Sequence, residues 1–279
     1  MDILESFTQQ GAFFGVDRQG LQASSGLAVP KRTALINSSS GEFISIVSKD
    51  YELVTNLNAA QTVCDALEDH DFDLSDAYTE TRLSADRSKT IMSIYLPAYE
   101  IDMGEGDVTS MEVMIRNSYD GRWKYATEVG GFRLKCTNGQ IIGNSKGRYS
   151  KIHTASLSVE ESAEDVVRMV SEFNDAGKWW LSLKERGVDE EQVLRSFGLY
   201  INQSNKVITD LEAFKETRPV KSLFETFTGY SEEMGSTAWA LYNTLTDNAT
   251  HSAKSPVSLK HKREKASFAI SHTPSLAVA

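Results

Sequence analysis

The stretch Ile115–Asn144, IRNSYDGRWKYATEVGGFRLKCTNGQIIGN, decides the fold. It holds two turn dipeptides, Asp120-Gly121 and Asn138-Gly139, each between strand-like runs. Alternation with a period of two sends successive side chains to opposite faces of a strand. Both dipeptides accept the positive φ of a two-residue hairpin turn, so the spacing predicts two β-hairpins in one sheet. With a two-residue turn at 120–121, Tyr119 opposes Arg122, Asn117 opposes Lys124, and Arg116 opposes Tyr125 beside Trp123. A turn at 138–139 puts Arg133, Lys135 and Thr137 on one face.

Outward from this stretch, the period of two runs from Ala77 to Ile142. YTETRLSA, TIMSIYLPAYEI, TSMEVMIRNSY, RWKYATEV and FRLKCT are five successive strand candidates, separated by the turn chemistry of GEGD, DG, GG and NG. Short links of this kind join antiparallel strands, whereas parallel strands need long crossovers. Upstream, EFISIVSKDYELV reads as a strand and NLNAAQTVCDALEDH as a helix capped by Asn56. Downstream the period becomes helical. SVEESAEDVVRMVSEFNDAGKWWLSLKE opens with Ser158 and Glu161 at capping-box spacing, and further helices are expected over 189–198, 206–216 and 231–249. Trp179, Trp180 and Trp239 fall in helical segments and are expected in the core. The predicted class is α+β, an antiparallel β-meander sheet packed by C-terminal helices. The expected organisation is a flexible arm over 1–40, one α+β domain over 41–250 (β-rich 41–153, helical 154–250) and a basic, disordered tail over 251–279.

The chain of 279 residues carries a net charge of −10, which argues against a uniformly basic nucleic-acid coat. The charge is unevenly placed. Residues 115–153 hold eight basic and two acidic residues, and residues 251–279 hold five basic and one acidic; the rest is balanced or acidic. Asp2 and Glu5 stand where a secretory signal would be basic, and no apolar run approaches the roughly 18 residues of a membrane span. Two distant cysteines, Cys64 and Cys136, make no disulfide framework. A cytoplasmic protein away from membranes is the expectation.

Catalytic and metal motifs are scarce. Asp69, Asp71, Asp73, Ser75 and Glu80 take the first, third, fifth, seventh and twelfth places of a calcium loop, but Leu74 stands where the sharp turn needs glycine. The five histidines have no metal-ligand spacing, and no nucleophile elbow, phosphate loop or dinucleotide fingerprint occurs. No enzyme activity, cofactor or metal site is therefore expected. What remains is the basic, aromatic strip. Arg116, Arg122, Lys124, Arg133, Lys135, Lys146 and Arg148 supply cations for phosphates, and Trp123, Tyr125 and Tyr149 lie among them as stacking planes. A solvated sheet face whose cations resist edge pairing is the plainer account of the same residues.

The motif order resembles the phage/plasmid-like family, a phage- and plasmid-borne domain of unknown function. The elements are NSYDG at 117–121, RLKCTN at 133–138, TAWALYNTLTDNATH at 237–251 and SKDYELVTN at 48–56. They span about 40 to 270. Tyr119 replaces the family's usual His, which counts against proton transfer at that place. The resemblance implies a mobile-element origin and brings no catalytic residues with it. Strand-annealing phage proteins also use β-meanders with basic hairpins, a fold-level analogy. The expectation is a protein of phage DNA metabolism that binds single-stranded DNA or RNA and promotes annealing or recombination. The alternative is an interaction protein that binds a host or phage protein through acidic surfaces, with homo-oligomerisation left open.

Overall fold

The computed structural model describes residues 2–104, 106–133, 148–204 and 208–276, and the backbone of 138–140. The architecture is α+β: two antiparallel sheets and a set of helices packed on them. The smaller sheet has the order β1 (Val16–Gln22), β2 (Ala28–Asn37), β3 (Phe43–Ser48). The larger runs β4 (Tyr78–Leu83), β5 (Lys89–Asp102), β6 (Val108–Ser118), β7 (Tyr125–Arg133), β8 (Asn138–Gln140), with β9 (Arg148–Lys151) also on β7. Helix α1 (Ile3–Gln9) precedes the sheets and α2 (Asn56–Asp69) joins them; α3 (Val159–Ser171), α4 (Phe173–Lys184), α5 (Glu190–Asn202), α6 (Leu211–Lys215), α7 (Arg218–Met234), α8 (Ala238–His251) and α9 (Pro256–His272) follow.

The larger sheet has two covered faces, because β6 is buried along nearly its whole length. On the inner face Met92, Ile94, Leu96, Met111, Val113, Ile115, Tyr125 and Val129 join the main core with α2, α3 and α4. On the outer face Ile91, Met114 and Trp123 form a small cluster capped by Leu259 of α9. A third cluster, with Val16, Leu35, Ile44, Val47, Tyr51 and Tyr119, fills the space between the small sheet and the β6–β7 connection. Trp180 and Trp239 are fully buried and Trp179 nearly so, as their helical positions predict.

The structure differs from the sequence reading in four places. RWKYATEV and FRLKCT are not two strands: β7 runs through Gly130-Gly131 without turning. A Cβ on Gly131 would lie 2.6 Å from the Trp180 ring and 2.5 Å from Thr109, so this glycine admits a close-packed ring and does not make a turn. Asn138-Gly139 is not the second turn. Both residues lie inside β8, opposite Arg133 and Phe132, and residues 134–137 between the strands lie outside the described residues. Asp120-Gly121 does lie between paired strands, and Gly121 has the expected positive φ of 68°. The link is nevertheless residues 119–124, because Arg116 pairs with Ala126 and not with Tyr125. The cause is Tyr119, whose N–H donates to the Ser88 carbonyl at 2.7 Å and whose ring turns inward. Lastly, the expected helix over 231–249 is two helices, broken at Gly235 with φ 78°.

Both expected ends are also corrected. The proposed arm contains α1, β1 and β2, and Phe7 and Leu35 within it are fully buried. The proposed disordered tail contains α9, capped by Ser255, whose hydroxyl accepts the Ser258 N–H at 3.2 Å, with Pro256 in its first turn. Its apolar residues are few, so composition reads as loop. Leu259, Ala266, Ala269 and Ile270 are buried all the same, and Arg263 pairs with buried Glu112 at 3.0 Å. No helix among the described residues is long and apolar enough to cross a membrane.

Candidate nucleic-acid interface

Strand pairing decides which cations meet. In the β6–β7 ladder Met114 opposes Glu128 and Arg116 opposes Ala126; in the β7–β9 ladder Arg148 opposes Glu128 and Ser150 opposes Ala126. With a period of two, Arg116, Glu128, Arg148 and Ser150 therefore share the outer face. Helix α9 lies over the same face and adds Lys260 and Glu264. The wall of a cleft of about 600 Å³ is thereby Arg116, Arg122, Trp123, Lys124, Arg148, Ser150, Lys260 and Glu264.

The cations differ in freedom. Arg116 is buried and donates to Glu128 at 2.6 Å. Arg148 pairs with Glu128 at 2.9 Å and approaches Glu264 at 3.9 Å. Burial pushes the Glu128 carboxyl up, but the guanidiniums of Arg116, Arg148 and Arg263 outweigh it and hold the group below the usual carboxylate range. Lys260 donates to Glu264 at 2.7 Å and stands 5.9 Å from the Trp123 ring. The Arg122 side chain is 81% exposed, with Asp120 at 3.9 Å, and Lys124 is exposed.

Of the residues the sequence nominated, the fold brings Arg116, Arg122, Trp123, Lys124 and Arg148 together. Arg133 lies on the inner face, 1% exposed, donating to Asp107 at 2.6 Å and standing 5.7 Å from the Tyr230 ring; it is a core residue and not part of the strip. Tyr125 and Tyr149 point into the main core, and the Tyr149 hydroxyl donates to the Ser158 carbonyl at 2.9 Å. The expectation that both stack on bases is corrected: their faces are already packed. Trp123 is mostly covered by Ile91, Met114 and Leu259. Lys135 and Lys146 lie outside the described residues. Lys260 and Glu264 were missed as cleft residues, although the basic charge of 251–279 signalled cations there.

A second cluster gathers two of the quoted motifs. Asn56 donates through its side chain to the Ala12 carbonyl and to Thr90, each at 2.9 Å, while its backbone N–H donates to the Tyr119 hydroxyl at 2.9 Å. Asn117 donates to the Val54 carbonyl at 2.8 Å and to the Asn56 side-chain oxygen at 2.9 Å. The Tyr51 hydroxyl donates to the Ser118 carbonyl, and Lys89 pairs with Asp120. His153 stacks on Tyr51 at 4.7 Å and donates from Nδ1 to the Glu52 carbonyl at 3.0 Å. Thr55, not Asn56, caps α2. SKDYELVTN and NSYDG thus meet as a buried polar knot between the two sheets. Burial pushes the Tyr119 hydroxyl far above its ordinary pKa, so it stays neutral and serves as a hydrogen-bond partner.

Residues 43–272 match the family model described as Domain of unknown function (DUF932). The chain belongs to this family. The match takes in α9 and the cleft and omits α1, β1 and β2. Among curated proteins, human CMRF35-like molecule 9 is 26% identical over 115 residues, 37% of this chain and 34% of that protein. The chain thus spans about a third of that relative. No solved structure matches the chain.

Proposed function

We propose that this DUF932 protein binds single-stranded nucleic acid by its phosphates in the cleft, as a phage-type DNA-metabolism protein in strand annealing or recombination in the host cytoplasm. The observation that carries this reading is the convergence of Arg116, Arg122, Lys124, Arg148 and Lys260 on one cleft in a chain of net charge −10. Acidic surroundings repel a phosphate backbone elsewhere and confine it here. A single strand bends to bring successive phosphates to both walls, which duplex DNA, with a persistence length of about 50 nm, does not do readily. Phosphate contact without base stacking implies little sequence preference.

The test is anisotropy of a labelled oligonucleotide across a salt series. Each phosphate contact contributes about 0.7 to the slope of log affinity against log salt on a single strand. Arg122→Ala combined with Lys124→Ala flattens the slope by about 1.4 if both touch phosphate. No binding at low salt, or an unchanged slope in the double variant, refutes the reading.

A second reading, an interaction protein, is favoured by a groove of about 410 Å³ lined by Asp189, Glu190, Phe224, Phe227 and Glu232. An acidic rim on an aromatic floor suits a basic, apolar peptide. This reading predicts no salt-dependent DNA binding.

A further inference from the structure

Arg148 stands between two carboxylates of unlike character. Glu128 is on the sheet, shared with buried Arg116, and fixed from both sides. Glu264 hangs from α9 with 36% of its side chain exposed, accepting from Lys260 one helical turn earlier and lying 3.9 Å from Arg148. Partly exposed pairs one helical turn apart contribute little, so the carboxylate leaves at small cost. Its place, between an ammonium and a guanidinium on opposite walls, is also where an incoming anion finds two donors at once. A phosphate group brings more charge and more acceptor oxygens than a carboxylate.

We infer that Glu264 is a built-in competitor, filling the phosphate position between Lys260 and Arg148 in the free protein and yielding it to a ligand phosphate. This rests on the cleft as an anion site and not on nucleic acid being the anion. Glu264 then acts as a selectivity filter. A singly charged anion gains too little to displace a side chain that is always present, whereas a chain of phosphates gains enough. The same contacts serve inorganic polyphosphate, a nucleoside triphosphate or a nucleic-acid strand.

Titration calorimetry of the full chain with inorganic tripolyphosphate tests this, with Glu264→Gln as the variant and Glu191→Gln, on α5 and paired with Arg195, as a control of equal charge change. One unit charge about 4 Å away in water-like surroundings is equivalent to roughly fivefold in affinity. Glu264→Gln is expected to bind tripolyphosphate at least about fivefold more tightly than the parent, with Glu191→Gln close to the parent and acetate binding weakly to the parent and to Glu191→Gln. Unchanged or weaker binding by Glu264→Gln overturns the inference, the weaker case meaning that the carboxylate holds Lys260 in place for the ligand. Failure of parent and variant alike to bind tripolyphosphate also overturns it. Tighter tripolyphosphate binding by Glu264→Gln, with no binding of a single strand by either protein, leaves the inference standing and removes nucleic acid as the ligand.

Discussion

Arg133 and Arg148 sit on opposite faces of the same sheet, one on β7 and one on its neighbour β9. Arg133 faces inward, where Asp107, Glu233 at 3.9 Å and the Tyr230 ring enclose it. Arg148 faces outward, where it shares its carboxylates with other cations and keeps a third of its side chain in solvent. Local charge counts both alike. What separates them is whether the side chain is sealed from solvent, 1% exposed for Arg133 against 36% for Arg148, and that depends on strand parity. The inner face spends its arginine on holding α7 to the sheet; the outer face keeps more cations than carboxylates.

The contrast breaks if Arg133 proves dispensable. Arg133→Ala strands a largely buried Asp107 carboxylate and is expected to cost about 3–5 kcal/mol in urea denaturation, without changing the salt slope of the folded fraction. The polar knot between the sheets comes next. Asn117→Ala removes the donor to the Val54 carbonyl and to Asn56, both buried, and should cost about 1–3 kcal/mol by the same measurement. Full stability in either variant means that these groups find water instead.

Smaller still is a pH effect. Burial pushes His153 below its ordinary value, against the Glu52 carbonyl and Asp120, which favour the charged form. Above about pH 6.5 both folded and unfolded chains carry a neutral ring. Below it the unfolded chain takes up a proton that the folded chain refuses, so stability falls as pH drops toward the folded value, by at most about 1.4 kcal/mol per pH unit. His153→Phe should remove this part of the slope, read as the difference between the parent and variant curves between pH 7 and 5. The least effect on stability is expected at the exposed cations of the proposed cleft: Arg122→Ala with Lys124→Ala should stay within about 0.5 kcal/mol of the parent.

The α+β class and the helices with strong apolar stripes were legible because periodicity reports burial directly. Gly130-Gly131 was not, since a glycine that turns a chain and one that admits Trp180 look alike in sequence. Nor was α9, whose apolar stripe is thin and whose anchor is the long-range Arg263–Glu112 pair. The cleft was half legible. Residues 116–124 and 148 lie in one basic stretch, but Lys260 reaches them only through tertiary packing. The aromatic residues misled because Tyr125 and Tyr149 are common to both a core and a stacking surface, and only their parity on the strand separates the two.

The capping of Trp123 by Leu259 has a consequence for biosynthesis. A ribosome emits the sheet well before residues 256–272, so a nascent chain holds Ile91, Met114 and Trp123 without their cover and lacks one wall of the cleft. The cleft is therefore complete only once residues 256–272 have been made, and a chain stopped before them would expose the Trp123 cluster and lack Lys260.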